Sequence, residues 1–366
     1  MCHRNVTNKS RLNRHARNDY CHSKPANLAE PGCSGRTAVN KIQRQRLAWR
    51  TGFFLLFILA PIFNLFRFDL EQNHFYFLTF PWTLGIDAFK SGDISAMEMA
   101  LNMGLRFFLP LGIIISLGIW VSWKWGRLYC GWLCPHFSVV ETINHFMRKA
   151  SGKLSLWDRD PLPEDQADGT HVHVEKKWWW VTGLVIVGFS FVWAVVLLTY
   201  LLPPREIYYN LFHAQLTRNQ ALFIGVGTLL FIIEFTLARH LFCRFGCVIG
   251  LAQSLVWMGN KKALVVGFDR GRSNQCAECD ASCEHACPMR LKPRSIKRKM
   301  FTCTQCMQCV EACEKVHEND PRPPLLHMLQ DQCALDVSLR DFGLKPEIPT
   351  DCFPPISGGP KDSSRG

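Results

Sequence analysis

Residues 178–202 run for 25 positions without a charge, and no other feature of the chain limits its fold as strongly. A bilayer core takes about 20 apolar residues as a single helix. Backbone N–H and C=O groups in lipid must find partners within the segment, so a helix is the expected form. The run opens on Trp178, Trp179 and Trp180, whose amphipathic rings suit the headgroup layer. Three other stretches approach the same length: 52–66, short and holding Pro61 and Asn64; 107–123; and 221–238, with Glu234 inside it. The expected fold class is therefore an α-helical integral membrane protein with about four transmembrane helices.

Charge in the connecting segments sets an expected orientation. Arg4, Lys9, Arg11, Arg14, Arg17, Lys24, Arg36, Lys41, Arg44 and Arg46 stand against only Asp19 and Glu30 in residues 1–49, which read as a basic, disordered tail. No apolar core of a secretory signal lies in the first 30 residues. The loop 124–177 is also rich in Lys and Arg, whereas 67–106 and 203–220 are poor in them. Positive loops stay inside, so both termini, the 124–177 loop and everything after Arg239 are expected on the cytoplasmic side. The net charge of +12 sits in the tail and beside apolar spans, where anionic lipid is the natural partner and nucleic acid is not. Residues 63–77 alternate aromatic and polar side chains and read as a short strand or interfacial segment on the outer face.

The chain has 17 cysteines. An odd, unevenly spaced set in a chain without a cleavable signal argues against a disulfide scaffold, and no C-x-x-C-H motif offers a covalent haem site. Cys2, Cys21, Cys33, Cys333 and Cys352 lack ligand spacing. Eight others fall into two runs: Cys276, Cys279, Cys283 and Cys287, followed by Pro288; then Cys303, Cys306, Cys309 and Cys313. A cubane iron–sulfur cluster needs four thiolates, and in two-cluster ferredoxins the last cysteine of each run serves the other cluster. The expected sets are thus Cys276, Cys279, Cys283 and Cys313 on one 4Fe-4S cluster, with Cys303, Cys306, Cys309 and Cys287 on the second. Paired zinc sites are the alternative, and they fit two runs ending in this way less well. Cys279 and Cys283 stand one residue further apart than the usual run. Between the runs, "MRLKPRSIKRKMF" is strongly basic and would raise cluster potentials or offer a docking face to an acidic partner. A small α+β two-cluster ferredoxin-like domain is expected here.

Two further pairs follow the second and fourth apolar spans: Cys130 and Cys134 in "RLYCGWLCPHFSVVE", Cys243 and Cys247 in "HLFCRFGCVIGLAQS". Aligned on the cysteines, Leu128 matches Leu241 and Tyr129 matches Phe242, which reads as an internal repeat of a two-span unit. Such units commonly hold a site at their interface. On a helix, cysteines four apart share a face, so facing pairs would make a four-thiol site suited to monovalent copper or disulfide exchange. Packed apolar cysteines at helix ends are the plainer reading, and the recurrence of the spacing favours function over it. His136 and His240 lie near the pairs and read as structural. Glu234, an ionisable group inside a span, is a functional candidate. The expected organisation is a tail over 1–49, a membrane domain over 50–260, the ferredoxin-like domain over 261–320 and a flexible Pro-rich tail over 321–366.

Over residues 45–320 the chain resembles the membrane polyferredoxins, a family that includes the cytochrome c oxidase accessory protein CcoG (FixG, RdxA), NapH and the membrane half of NosR. "GRLYCGWLCP", "CRFGC", the run from Cys276 to Cys313 with "ACEKV" at its end, and "FRFDL" and "FYF" in the first loop carry the resemblance; the last two bring it nearest to the CcoG branch. Val248 stands where the family's second C-x3-C has proline, and the C-terminal β-domain of CcoG has no counterpart here. The resemblance implies electron transfer at the bacterial inner membrane. From CcoG it implies reduction of divalent copper for oxidase assembly, and from NapH, quinol oxidation with delivery to a partner reductase. The residues themselves lead to one-electron transfer through two clusters to a site near Cys130, Cys134, Cys243 and Cys247. A quinol-linked relay and a non-redox scaffold or regulator are the alternatives. Expected partners are the membrane, a redox partner protein or quinol, oxidase assembly factors and, as an open option, a second copy of the chain.

Overall fold

The computed structural model describes residues 31–70, 74–318 and 323–338. Expectations that fall on residues 1–30 and 339–366, including Cys2, Cys21 and Cys352, lie outside the described residues. The described chain forms two compact units. One runs over Trp49–Pro161 and His173–Trp257; the other gathers residues up to Ala48, the excursion Leu162–Val172, and residues from Met258 onward.

Three helices among the described residues are long and apolar enough to cross a membrane: Ala96–Trp125, Trp178–Thr199 and Arg218–Gly246. The expected span at 52–66 lies in a helix, α1 (Pro31–Ile62), but is not one of the three. Pro61 lies in its last turn, and Asn64 follows in the left-handed region at φ 51°, a conformation Asn tolerates better than most. The chain turns there instead of continuing as helix. Residues 31–49, expected within a disordered tail, are helical as well, so the basic run is carried on α1.

α2 (Ala96–Trp125) begins at a capping box between Ser95 and Glu98 and widens into a π turn at Gly104–Phe108. Pro110, just beyond, has no N–H for the carbonyl of Arg106, as proline within a helix requires. The Trp82 indole donates to that oxygen instead, at 3.0 Å. Within the chain's own fold the most apolar stretch of α2 has no buried residue, the pattern of a lipid-facing helix. α3 (Pro135–Ser151) ends at Gly152, left-handed at φ 69°, the usual way for glycine to close a helix.

α4 (Trp178–Thr199) and α5 (Arg218–Gly246) pack closely where Gly227 faces Ala194. Small residues at such a crossing let two backbones approach. Val195, Leu198, Ile207 and Ile224 form the buried cluster below it. α1 leans on α4 through Phe54 and Phe57, both against Trp193, and the Tyr200 hydroxyl donates to the Phe57 carbonyl at 2.8 Å. Two strands lie within the expected segment, β1 (Phe66–Asp69) and β2 (His74–Phe77), part of a three-stranded antiparallel meander completed by β3 (Phe80–Trp82). Phe66 pairs with Phe77, and Phe75 with Trp82. A buried Arg67–Asp69 ion pair at 2.9 Å locks β1.

After α6 (Val248–Gly259) the second unit is built on a two-stranded antiparallel sheet of β4 (Val265–Phe268) and β5 (Leu326–Leu329). Two short helices carry cysteines above it: α7 (Ser282–His285) and α8 (Gln308–Val316). β5 and the helix α9 (Asp331–Ser338) lie where a flexible Pro-rich tail was expected. The ordered domain therefore extends past residue 320, because β5 supplies the partner strand that β4 needs.

Candidate cysteine-lined sites

α8 distributes two cysteines to two different cavities. Cys309 lines one and Cys313, a turn later, lines the other. The first cavity is bounded by Cys276, Cys279, Cys283 and Cys313, with Phe268 and Leu326 from the sheet and Leu325 just before β5. The second is bounded by Cys287, Cys303, Cys306 and Cys309 with Val266, Met289 and Met300. The grouping is the one expected from spacing: each run contributes three thiols to one cavity and its fourth to the other. The extra residue between Cys279 and Cys283 is absorbed by Ala281, which turns into the left-handed region at φ 64° ahead of α7.

Four thiols line each cavity, the ligand number that a cubane cluster needs. Burial pushes the Cys283 thiol up to about 12 and Cys313 to about 11, and raises Cys279, Cys287 and Cys309 too. Metal-free, these thiols hold their protons at neutral pH, so loading a cluster must release them.

The two C-x3-C motifs do not lie on single helices, contrary to the expectation from four-residue spacing. Cys130 sits in the short helix Leu128–Trp132, and Cys134 is already extended (ψ 117°) as α3 begins. Cys243 sits in the π turn Phe242–Gly246, and Cys247 is extended (ψ 109°) as α6 begins. Pro135 explains the first break, since a residue before proline is driven out of the helical region. Val248 cannot act so, and the same break is made by other means. The N–H of Cys134 reaches the carbonyl of Tyr129 at 2.9 Å; the N–H of Cys247 reaches that of Phe242 at 2.8 Å. Both are five-residue steps ending on the aligned aromatic. A side chain at Gly246 would crowd the Phe242 ring, so glycine permits the wider turn.

The pairs share one neighbourhood. Cys134 and Cys130 act electrostatically on Cys243, and Cys247 acts on both Cys130 and Cys134. Arg127, fully buried, ties the halves: its Nη2 donates to the Cys243 carbonyl at 2.7 Å and lies 3.8 Å from Cys130 Sγ. Cys130 in turn donates to Gln253 Oε1 at 3.1 Å. Burial raises the Cys130 thiol, opposed by the Arg127 charge and hydrogen bond, while Cys134 is pushed up to about 12 by burial. Gly250 faces the guanidinium so closely that any Cβ there would collide with it. Glu234 Oε1 lies 2.9 Å from His136 Nε2, and the imidazole stacks on Phe235. His240 is buried nearby on α5.

Comparison with known proteins bears on the chemistry. A family model described as a 4Fe-4S binding domain matches residues 105–153, the segment that holds Cys130 and Cys134. YccM of Escherichia coli K12, by name an electron transport protein, is 22% identical over 77% of this chain and 77% of its own. The ferredoxin-type protein NapH of Haemophilus influenzae is 24% identical over 54% of this chain and 63% of its own. The regulatory protein NosR of Pseudomonas aeruginosa is 24% identical over 65% of this chain and 32% of its own. These matches support a membrane ferredoxin-type electron-transport family. No solved structure matches.

Sequence reasoning overlooked Arg127, Gly250 and Gln253. Arg127 had a visible signal: it stands three residues before Cys130, where the other half has His240, so the repeat departs from itself at a buried position. It also assigned 4Fe-4S chemistry to residues 276–313 alone, whereas the matching family model lies over the first C-x3-C. Gln253 and Gly250 gave no such signal, being placed by the pitch of α6.

Proposed function

We propose that the protein relays single electrons through two 4Fe-4S centres, held by Cys276, Cys279, Cys283 and Cys313 and by Cys303, Cys306, Cys309 and Cys287, to the site around Cys130, Cys134, Cys243 and Cys247. The exchange of fourth cysteines between two cavities carries this reading, because separate zinc sites would not need it. Bound there, such centres supply one-electron transfer with little rearrangement. The chain's part is to surround them with Leu325, Leu326, Val266 and Met300 and so exclude water. By charge distribution the centres belong on the cytoplasmic side of a bacterial inner membrane. At the thiol site the substrate is divalent copper: one electron reduces it to the monovalent ion, which soft thiolates favour, consistent with a role beside oxidase assembly factors.

A second reading rests on a separate observation. The Glu234–His136 hydrogen bond brings a carboxylate on the span α5 beside an imidazole on α3, a pair suited to take the protons that a quinol releases with its two electrons. In that reading the chain is a relay to a partner reductase and binds no copper.

The deciding experiment is anaerobic purification in detergent, with iron, sulfide and copper counted per chain and electron paramagnetic resonance recorded on the dithionite-reduced protein before and after divalent copper. About eight irons and a reduced signal that copper removes, except in a Cys130→Ser, Cys134→Ser variant, support copper reduction. Eight irons indifferent to copper but reduced by a quinol analogue support the relay. Zinc in place of iron, or clusters that never cycle, would sink both.

A further inference from the structure

The two cavities differ in one respect that the cysteine spacing does not foreshadow. The lining of the second is uncharged, being cysteine, apolar side chains and Thr304. The first has a guanidinium in its wall, that of Arg294, and an imidazole, that of His317. Arg294 shares the cavity wall with Cys276, Cys279, Cys283 and Cys313 and forms an ion pair with Glu284 at 2.7 Å. Its charge also acts on Cys283. Cys276 and Cys279 are only half-buried, whereas all four cysteines of the second cavity are buried.

We propose that Arg294, balanced by Glu284, is a positioning residue that sets the reduction potential of the Cys276–Cys279–Cys283–Cys313 centre without touching that of its neighbour. The inference rests on the ligand sets of the proposed function. Reduction adds one negative charge to a centre that its thiolates already make negative. A nearby cation stabilises the extra charge and so raises the potential. Glu284 works against it by neutralising the guanidinium. Asp280 stands next to Cys279, at 3.9 Å from its sulfur, and also opposes; its carboxylate is held by the N–H groups of Ser282 and Ala167, each at 3.0 Å. His317 Nδ1 lies 2.9 Å from the Cys313 carbonyl and 3.8 Å from Cys313 Sγ, so an imidazole also meets this set, at its fourth thiol. Arg294 is the group in this wall that carries a permanent positive charge.

The test is a potentiometric titration followed by electron paramagnetic resonance on the full chain in detergent, with iron and sulfide counted in every sample. Arg294→Gln should shift one of the two reduced signals to lower potential and leave the other in place; Arg294→Lys should shift the same signal less. Glu284→Gln should move that signal the opposite way, upward, which a merely structural role for the pair would not produce. If Arg294→Gln loses iron, the Lys and Glu284→Gln variants decide. Unchanged potentials at full iron content overturn the inference, as do equal shifts in both signals. Wild-type protein without iron would instead overturn the ligand assignment, and this inference with it.

Discussion

The chain holds two cysteine systems, one in each unit, and they are built on opposite principles. In the unit from Met258 onward, eight thiols surround two cavities whose other walls are largely side chains of β4, β5 and the strap between the runs. These thiols have polar neighbours as well, such as the Leu291 N–H at 3.4 Å from Cys287 Sγ, and the space they share is the organising feature. In the other unit the organising feature is a set of contacts: Arg127 and Gln253 at the Cys130 thiol, Arg127 again at the Cys243 carbonyl, and the Gly250 N–H at 3.5 Å from Cys247 Sγ. Thiols around a shared space suit a cofactor that fills it. Thiols engaged with protein groups suit a transient occupant, a substrate ion or a disulfide. A count of cysteines alone would have treated the systems as alike.

The largest expected effect tests the cavity system. Cys313→Ser should abolish the same paramagnetic signal as Cys276→Ser, and Cys287→Ser the same signal as Cys303→Ser, each with loss of about half the iron. If Cys313→Ser matched Cys303→Ser instead, each run would hold its own centre and the crossed arrangement on α8 would be wrong. Removing iron should come next in size. Binding energy of this kind is folding energy, so chelation under reducing conditions should strip amide-exchange protection from β4, α8 and β5 while leaving α4 and α5 protected. Equal loss in both units would erase the distinction drawn between them.

Much of this was legible in the sequence, and the reasons differ by region. The grouping of cysteines about two cavities could be read because a tight C-x2-C-x2-C turn geometrically commits its residues, whatever surrounds them. The charge-free run 178–202 committed Trp178–Thr199 to helix in the same local way. The first span was read too generously: Pro61 and Asn64 were visible, yet their joint effect, a turn into β1, depends on Arg67 finding both Asn64, at 2.6 Å, and Asp69. The C-x3-C pairs were misplaced on continuous helices because helical periodicity says nothing of a five-residue hydrogen bond. β5 was hidden by the prolines around it, and its strand exists only because β4 lies opposite, a non-local fact.

The thiol system has its own test of engineered tightness. Gly250→Ala forces a methyl into the space of the buried Arg127 guanidinium, and overpacking of this kind costs about 1–3 kcal/mol. The variant should melt earlier in detergent and let a membrane-permeant alkylating agent reach Cys130 faster, with iron content unchanged. Should iron fall too, the two systems would not be independent.

Pro135→Ala should have the smallest effect, and its value lies in that smallness. The second motif breaks its helix without a proline, using the Cys247-to-Phe242 hydrogen bond and the room left by Gly246. If the bond is what fixes the break, the Cys134-to-Tyr129 bond will hold Cys134 extended after proline is removed. Only the restriction that Pro135 places on the unfolded chain would then be lost, about 0.4–1 kcal/mol. Alkylation rates of Cys130 and Cys134 should stay within twofold of the wild type. A large change in Cys134 alone would mean that proline sets the first break by itself. The two halves would then reach one backbone shape by different physics, and Val248 would mark a real division of labour between them.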